Sequence, residues 1–287
     1  MTRKNFNLGR FRFDGQILIG RIDGGDVEVV CDGDELPLAL SPEGQELPTK
    51  RRIPVDAVEM LPPLHPAGRV FAIAINYSAH GAEAKAAPPE RPLIFYKAPS
   101  NFVAHGGTLN PNKAITSKLD YEGEIAVVIG KPCKDASLDT ALSFVAGVCA
   151  LNDGSARDLG KIAIGAPGPD ATYWPDWTAN KGLDGASALG PTITCGPEVL
   201  GALRERELTI TTRLNGAVVQ SASMKEMIFS TEQIIATLSS YMTLLPGDVI
   251  ATGTPAGVGM ARSRFLRTGD ELEIQVGTLE ALSVKVG

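Results

Sequence analysis

Glu122 and Glu124 flank a single glycine, and Asp153 stands 29 positions after Glu124, so three carboxylates can converge on one cation. In Leu119-Asp120-Tyr121-Glu122-Gly123-Glu124-Ile125-Ala126-Val127-Val128-Ile129-Gly130 the β-branched residues and closing glycine predict a strand. Period 2 then puts both glutamates on one face. The run from Phe144 to Asp153 is equally apolar and carries its one charge at its end, where a strand would emerge beside its neighbour. Like charges held in such flanks repel, and a bound cation relieves that repulsion. An all-oxygen donor set suits a hard ion, Mg2+ or Mn2+ with Ca2+ also admitted, over zinc, which prefers His and Cys. A lone E-x-E on a surface strand usually points to water, but these flanks are too apolar for that.

Other residues could work beside such a cation. His80 and Glu83 are three apart after the run Arg69 to Ile75 and would meet on one face of a short helix. A carboxylate next to an imidazole fixes its tautomer and stabilises the imidazolium, which suits a general base. Lys181 could offer a cation to a developing oxyanion. Arg157, four residues after Asp153, could pair with a site carboxylate or bind an anionic substrate through its planar fork. The stretch Leu245 to Gly259 reads as a strand running into a Gly/Thr loop whose N–H and hydroxyl donors suit a carboxylate. No G-K-[ST] follows, so it is not a phosphate-binding P-loop.

The elements that must position these groups are mostly strands. Gln16–Gly20, Val27–Val30, Arg69–Ile75, Leu93–Tyr96, Glu124–Ile129, Val145–Leu151, Leu208–Leu214, Asp248–Ala251 and Glu271–Val276 all carry strand signatures. The clearest helix begins at the capping box Ser230-Thr231-Glu232-Gln233 and continues through Ile234, Ile235, Leu238, Tyr241 and Met242. Strand and helix do not alternate regularly, and no G-x-G-x-x-G opens a helix, which argues against TIM-barrel and Rossmann folds. Residues 1–65 read as a small N-terminal β domain, closed by the proline cluster Leu61 to Pro66, ahead of a catalytic domain over 66–287. The longest irregular stretch runs from Asp158 to about Gly190, includes Gly165 to Asp170 and both tryptophans, and would fit a lid.

Composition narrows the function class. The 287 residues are 44% apolar and 21% charged with a net charge of −6, which gives no basic footprint for nucleic acid. The N-terminus lacks the apolar core of a signal peptide, and no stretch approaches a membrane span, so a cytoplasmic protein without membrane contact is expected. Cys31, Cys133, Cys149 and Cys195 are scattered with no C-x-x-C and are expected to be free thiols.

Taken together, these blocks resemble the fumarylacetoacetate hydrolase family over roughly residues 66 to 287. The likeness is carried by Asn76-Tyr77 through His80 and Glu83, by Pro92-Leu93-Ile94-Phe95 with Lys97 and Pro99-Ser100, and by Asp120 to Lys131. It continues through Asn152-Asp153 with Ser155 to Asp158, Lys181, Asn215-Gly216 with Gln220, Leu245 to Asp248, and Thr252 to Pro255 with Gly257 to Gly259. The resemblance implies a mainly β protein with some α, a mixed β-sandwich roll, and a homodimer. It also implies Mg2+ or Mn2+ held by Glu122, Glu124 and Asp153, and a small 2-oxo or 2,4-dioxo acid as substrate. Two positions depart from the family pattern: Ala79 stands where many relatives carry an acid, and Gly160 where many carry Gln.

The leading expectation is hydrolysis of a C–C bond in a 2,4-dioxo acid of the acylpyruvate type. In it His80, oriented by Glu83, deprotonates water, Lys181 stabilises the oxyanion, and Lys97, Arg157 and the Thr252-Gly253-Thr254 loop hold substrate carboxylates. The alternative is decarboxylation or enol isomerisation of a 2-oxo acid or diacid such as oxaloacetate or 2-hydroxyhepta-2,4-diene-1,7-dioate, which needs no activated water. A third reading is a catalytically silent protein that binds metal and ligand.

Overall fold

The apolar run that follows Glu122 forms the strand Gly123–Ile129, and every one of its residues is buried. The computed structural model describes residues 5–164 and 172–287. Burial on both sides explains why this strand reads as a continuous apolar run. Ile125, Val127 and Ile129 point into one core layer, whereas Ala126 and Val128 point into another. Alternation puts Glu124, and Glu122 just before the strand, on the Ala126 side. The two carboxylates therefore leave the strand in one direction, as the period predicts.

This strand lies at the centre of a twelve-stranded sheet. It pairs antiparallel with Val145–Asn152 on one side and with Val249–Ala251 on the other. The pairing brings Gly123 opposite Asn152, so the chain enters one strand at Glu122 where it leaves the other at Asp153. Asp153 N–H donates to Glu122 O at 2.8 Å, which extends the ladder by one bond and fixes the register of the acids. Beyond Val249–Ala251 come Val70–Ala74, parallel to it, and then Leu93–Lys97, antiparallel. Beyond Val145–Asn152 comes Ser187–Cys195.

A second sheet of five strands contains Thr209–Leu214, Ala217–Ser223, Glu271–Val276, Leu282–Val286 and Thr108–Leu109. Its inward residues, among them Ile210, Leu272, Ile274 and Leu282, share a core with Ile125, Val127 and Val148. Two packed sheets of this kind make the expected mixed β-sandwich roll. The helix Thr231–Tyr241 starts at Ser230, whose hydroxyl and the Gln233 side chain complete the capping box, and buries Ile234, Ile235 and Leu238 in the same core. Each such side chain withdrawn from water stabilises the fold by about 1.5–3 kcal/mol before entropy is counted.

At the N-terminus, Phe6–Phe13, Gln16–Asp23, Asp26–Asp32 and Arg51–Pro54 form an antiparallel meander. It has a local core of Phe11, Leu18, Val27, Val29 and Ile53. Its first strand also pairs with Ser187–Cys195, so the meander extends the large sheet, and Leu8, Ile19, Leu36 and Leu40 share a core with Ala126 and Leu189.

The segment from Asp158 to Gly190 differs from the irregular stretch expected. Lys161–Ile164 pairs with Thr172–Pro175, and Trp177–Lys181 is a short helix. The β-forming residues Ile162, Ile164, Tyr173 and Trp174 outweigh the glycines and prolines around them. Gly165 to Asp170, the tip of the expected lid, lies outside the described residues. The four cysteines are free and buried. Among the described residues no helix is long and apolar enough to cross a membrane.

Candidate metal centre and active site

Glu122, Glu124 and Asp153 bring one carboxylate oxygen each to within 4.8 Å of one another, and all three side chains are buried. The strand pairing described above accounts for this convergence. What surrounds the three decides their charge. Burial alone would raise Glu122, but the Arg157 guanidinium and the Lys181 ammonium outweigh it and hold this carboxyl well below the ordinary range. Glu124 goes the other way: burial first, then the neighbouring Asp153 and Glu122 charges, push it well above. Among the described residues its one hydrogen bond comes from Gly253 N–H to Oε2, at 2.7 Å. The all-oxygen set fits a hard divalent ion, whose charge would offset the mutual repulsion of the three buried carboxyls.

Three cations of the chain face these acids. Lys181 Nζ donates to Glu122 Oε2 at 2.5 Å and to Asp153 Oδ2 at 2.6 Å. Those two carboxylates keep its pKa raised although burial acts to lower it. Arg157 donates through Nε to Asp120 Oδ2 at 2.8 Å and through Nη2 to Glu122 Oε1. Lys97 Nζ donates to Lys181 O at 2.6 Å and Gly154 O at 3.2 Å. It also lies 2.7 Å from Asp153 Oδ1, an ion pair off the hydrogen-bonding angle. Its burial lowers its pKa. Among the described residues four carboxyls thus meet three cations, and once a divalent ion brings Glu124 to its ionised form the sum would be one positive charge. That sign suits an anionic ligand.

The centre opens into a cavity of about 150 Å³ lined by His80, Phe95, Arg157, Trp177, Asn180 and Thr254 together with the three acids. This is the liquid volume of about five water molecules, a space for a small substrate. His80 projects from the short helix Ser78–Glu83 and is buried. Burial lowers its pKa, partly offset by Glu122, which favours the neutral imidazole. Glu83 approaches His80 Nδ1 to 3.9 Å without a hydrogen bond, because both of its carboxylate oxygens accept from Gly257 N–H at 3.0 and 2.9 Å.

The remaining candidates divide. Thr254 lines the cavity, whereas Thr252 Oγ1 donates to Ile125 O at 2.9 Å and Gly253 serves Glu124. Lys97 is consumed by protein partners and is absent from the cavity wall. Arg157 borders the cavity with its fork already committed to Asp120 and Glu122. The supports given no role in the sequence reading are polar and buried. Asp120 accepts from Gly259 N–H and Met260 N–H besides Arg157. Asn152 Oδ1 accepts from Glu122 N–H at 3.0 Å, and Gln220 bridges Gly123 N–H to Thr254 Oγ1 and Pro255 O. Asp120 shares the parity of Glu122 and Glu124, a signal that could have found it. The carboxamides carry no such signal.

Asn76 joins the two halves of the site. Its Nδ2 donates to Thr252 O at 2.7 Å and Phe229 O at 3.1 Å, and its Oδ1 accepts from Phe229 N–H at 2.8 Å. The preceding Ile75 holds φ at +54°, a strained conformation for a β-branched residue, at the cavity wall.

Comparison with known proteins finds that the family described as fumarylacetoacetate (FAA) hydrolase C-terminal matches residues 69–287. The oxaloacetate tautomerase YisK of Bacillus subtilis is 38% identical over 226 residues, spanning 77% of this chain and 70% of its own. Among solved structures, a 2-hydroxyhepta-2,4-diene-1,7-dioate isomerase from Mycobacterium marinum superposes with a TM-score of 0.76 at 30% identity, covering 98% of each chain. A fumarylacetoacetate hydrolase from Exiguobacterium antarcticum gives 0.78 at 31% identity, covering 98% of this chain and 99% of its own.

Proposed function

The chain belongs to the fumarylacetoacetate hydrolase family, and from that premise we propose that it is a divalent-metal-dependent tautomerase or isomerase of a small 2-oxo diacid, with oxaloacetate as the first candidate. The observation that carries this reading is the placement of His80, buried at the cavity wall with an Nδ1 that makes no hydrogen bond to Glu83. Such an imidazole suits the movement of a proton between substrate oxygen and carbon, which is all that enol–keto exchange requires. Hydrolysis asks for more, a water held and polarised, and Glu83 is tied to Gly257. The tautomerase name of one relative and the isomerase name of one structural neighbour support the same side.

In this proposal Glu122, Glu124 and Asp153 hold Mg2+ or Mn2+. The ion, when bound, supplies Lewis acidity to a 2-oxo acid's oxygens. Lys181 donates to Glu122 and Asp153 and places a fixed positive charge beside the site where enolate charge develops. Arg157 fixes Glu122 from its other oxygen, and Thr254 presents a polar wall. His80 takes the proton from one substrate atom and returns it to another. A homodimer and the division at residue 65 remain part of the proposal.

C–C hydrolysis of a 2,4-dioxo acid is the second reading, favoured by the 3.9 Å approach of Glu83 to His80, a distance that a small side-chain rotation could close. The two are separated by supplying the Mn2+-loaded protein with oxaloacetate and with an acylpyruvate and identifying products by mass. Pyruvate and a free acid from the acylpyruvate would establish the hydrolase and displace the tautomerase.

A further inference from the structure

The helix Trp177–Lys181 places Trp177, Asn180 and Lys181 on one face, at positions i, i+3 and i+4, and all three line the cavity. Two of them are already engaged. Trp177 stacks on Phe95 with ring centroids 4.8 Å apart, and Lys181 is spent on Glu122 and Asp153. Asn180 is not: its Oδ1 is buried without a partner, and its side chain makes no hydrogen bond among the described residues. A buried carbonyl oxygen left unpaired costs free energy unless something completes it. Its backbone is held in place by N–H donation to Asp176 O at 3.0 Å, in a helix whose first turn is capped by the Asp176 side chain.

Gly160 makes the room. A Cβ at residue 160 would lie 3.3 Å from Asn180 Nδ2 and 3.6 Å from its Cγ, so a side chain there and the Asn180 carboxamide compete for one volume. The charged groups of the cavity offer no substitute, because Arg157 and Lys181 are bound to carboxylates that the metal centre needs.

We propose that Asn180 is a substrate-recognition residue, whose carboxamide hydrogen-bonds the end of the substrate remote from the metal and sets the preference for a four-carbon diacid over shorter 2-oxo acids. The role rests on the assignment of the metal centre and of a 2-oxo diacid substrate given above. A carboxamide both donates and accepts, so it meets a carboxylate through N–H and a hydroxyl through C=O without adding charge to a site whose Arg157 and Lys181 are already engaged by carboxylates.

The test uses the Mn2+-loaded protein and two unreactive probes, oxalate, which is too short to reach beyond the metal, and malate, which carries a distal carboxylate. Asn180→Ala should weaken malate about tenfold, the loss of one hydrogen bond, and leave oxalate within about twofold. Unchanged oxalate binding also shows that the variant is folded and loaded. Asn180→Ala/Gly160→Gln, which returns a carboxamide to the same volume, should recover malate affinity. Equal effects on both probes, or none on malate, would overturn the proposal. If the native protein fails to tautomerise oxaloacetate while the selective loss of malate persists, the reaction is wrong and the contact stands.

Discussion

Gly253 N–H donates to Glu124 Oε2 at 2.7 Å, and it does so from a backbone that only glycine takes up easily, with φ at +99°. A Cβ there would lie 2.6 Å from Asn76 Cβ, so the residue is fixed twice, by conformation and by contact. Gly253→Ala should therefore cost about 1–3 kcal/mol of stability through strain and displace the loop that orients Glu124. Titration with Mn2+ should show at least about a tenfold weaker site. Wild-type affinity in that variant would mean that the loop does not position the ligand.

Lys181 is the counter-charge of Glu122 and Asp153 in the acid cluster. Removing one partner of a buried, hydrogen-bonded pair leaves an uncompensated charge, which typically costs about 3–5 kcal/mol. Lys181→Met should lower the thermal midpoint of the metal-free protein markedly, and saturating Mn2+ should restore most of the loss, since the cation then meets the same carboxylates. Turnover should not return. A midpoint that metal leaves unmoved would separate Lys181 from the centre.

His80 sets the pH dependence. Its pKa in the folded protein lies below the ordinary value because burial disfavours the imidazolium. The catalytic rate should rise with pH through that lowered pKa and then level off. The unfolded chain takes up its proton first as pH falls, so His80 costs no stability above its ordinary pKa. The destabilisation grows as pH drops from there to the folded value, then stays constant. His80→Gln should abolish turnover, spare Mn2+ binding and flatten this part of the stability profile. An acid limb in the stability profile that persists in the variant would assign it elsewhere.

The N-terminal meander is joined to the rest by more than a linker. Its first strand pairs with Ser187–Cys195, and Leu8, Leu36 and Leu40 are buried in a shared core. A protein consisting of residues 66–287 should bare that edge and core, aggregate, and unfold without a sharp transition. A soluble, cooperatively unfolding 66–287 would show that the division at residue 65 is also an energetic one.

The acid triad was legible because strand alternation is strict: Glu122 and Glu124 could not diverge once the run after them was buried on both faces. Asp153 was legible for the same reason, as the one charge at the end of the adjoining apolar strand. The stretch around Tyr173 and Trp174 was not, since its glycines and prolines masked a short hairpin, and pairing of so few residues is settled by tertiary contact. Lys97 was expected to hold a substrate carboxylate. A lysine is ordinarily solvated, and nothing local shows that this one ends among Asp153, Gly154 O and Lys181 O. Asn152 and Gln220 owe their positions to partners 30 and 97 residues away, beyond the reach of any local pattern.

The central claim, metal-dependent proton transfer on a 2-oxo diacid, is tested most directly by following the enol absorbance of oxaloacetate in a stopped flow with the protein loaded with Mn2+, stripped by chelator, or carrying Glu124→Gln. The account predicts rapid loss of the enol with the loaded protein, no acceleration in the other two, and oxaloacetate recovered intact by mass. Enol loss that survives the chelator, or that is accompanied by stoichiometric pyruvate, would contradict it.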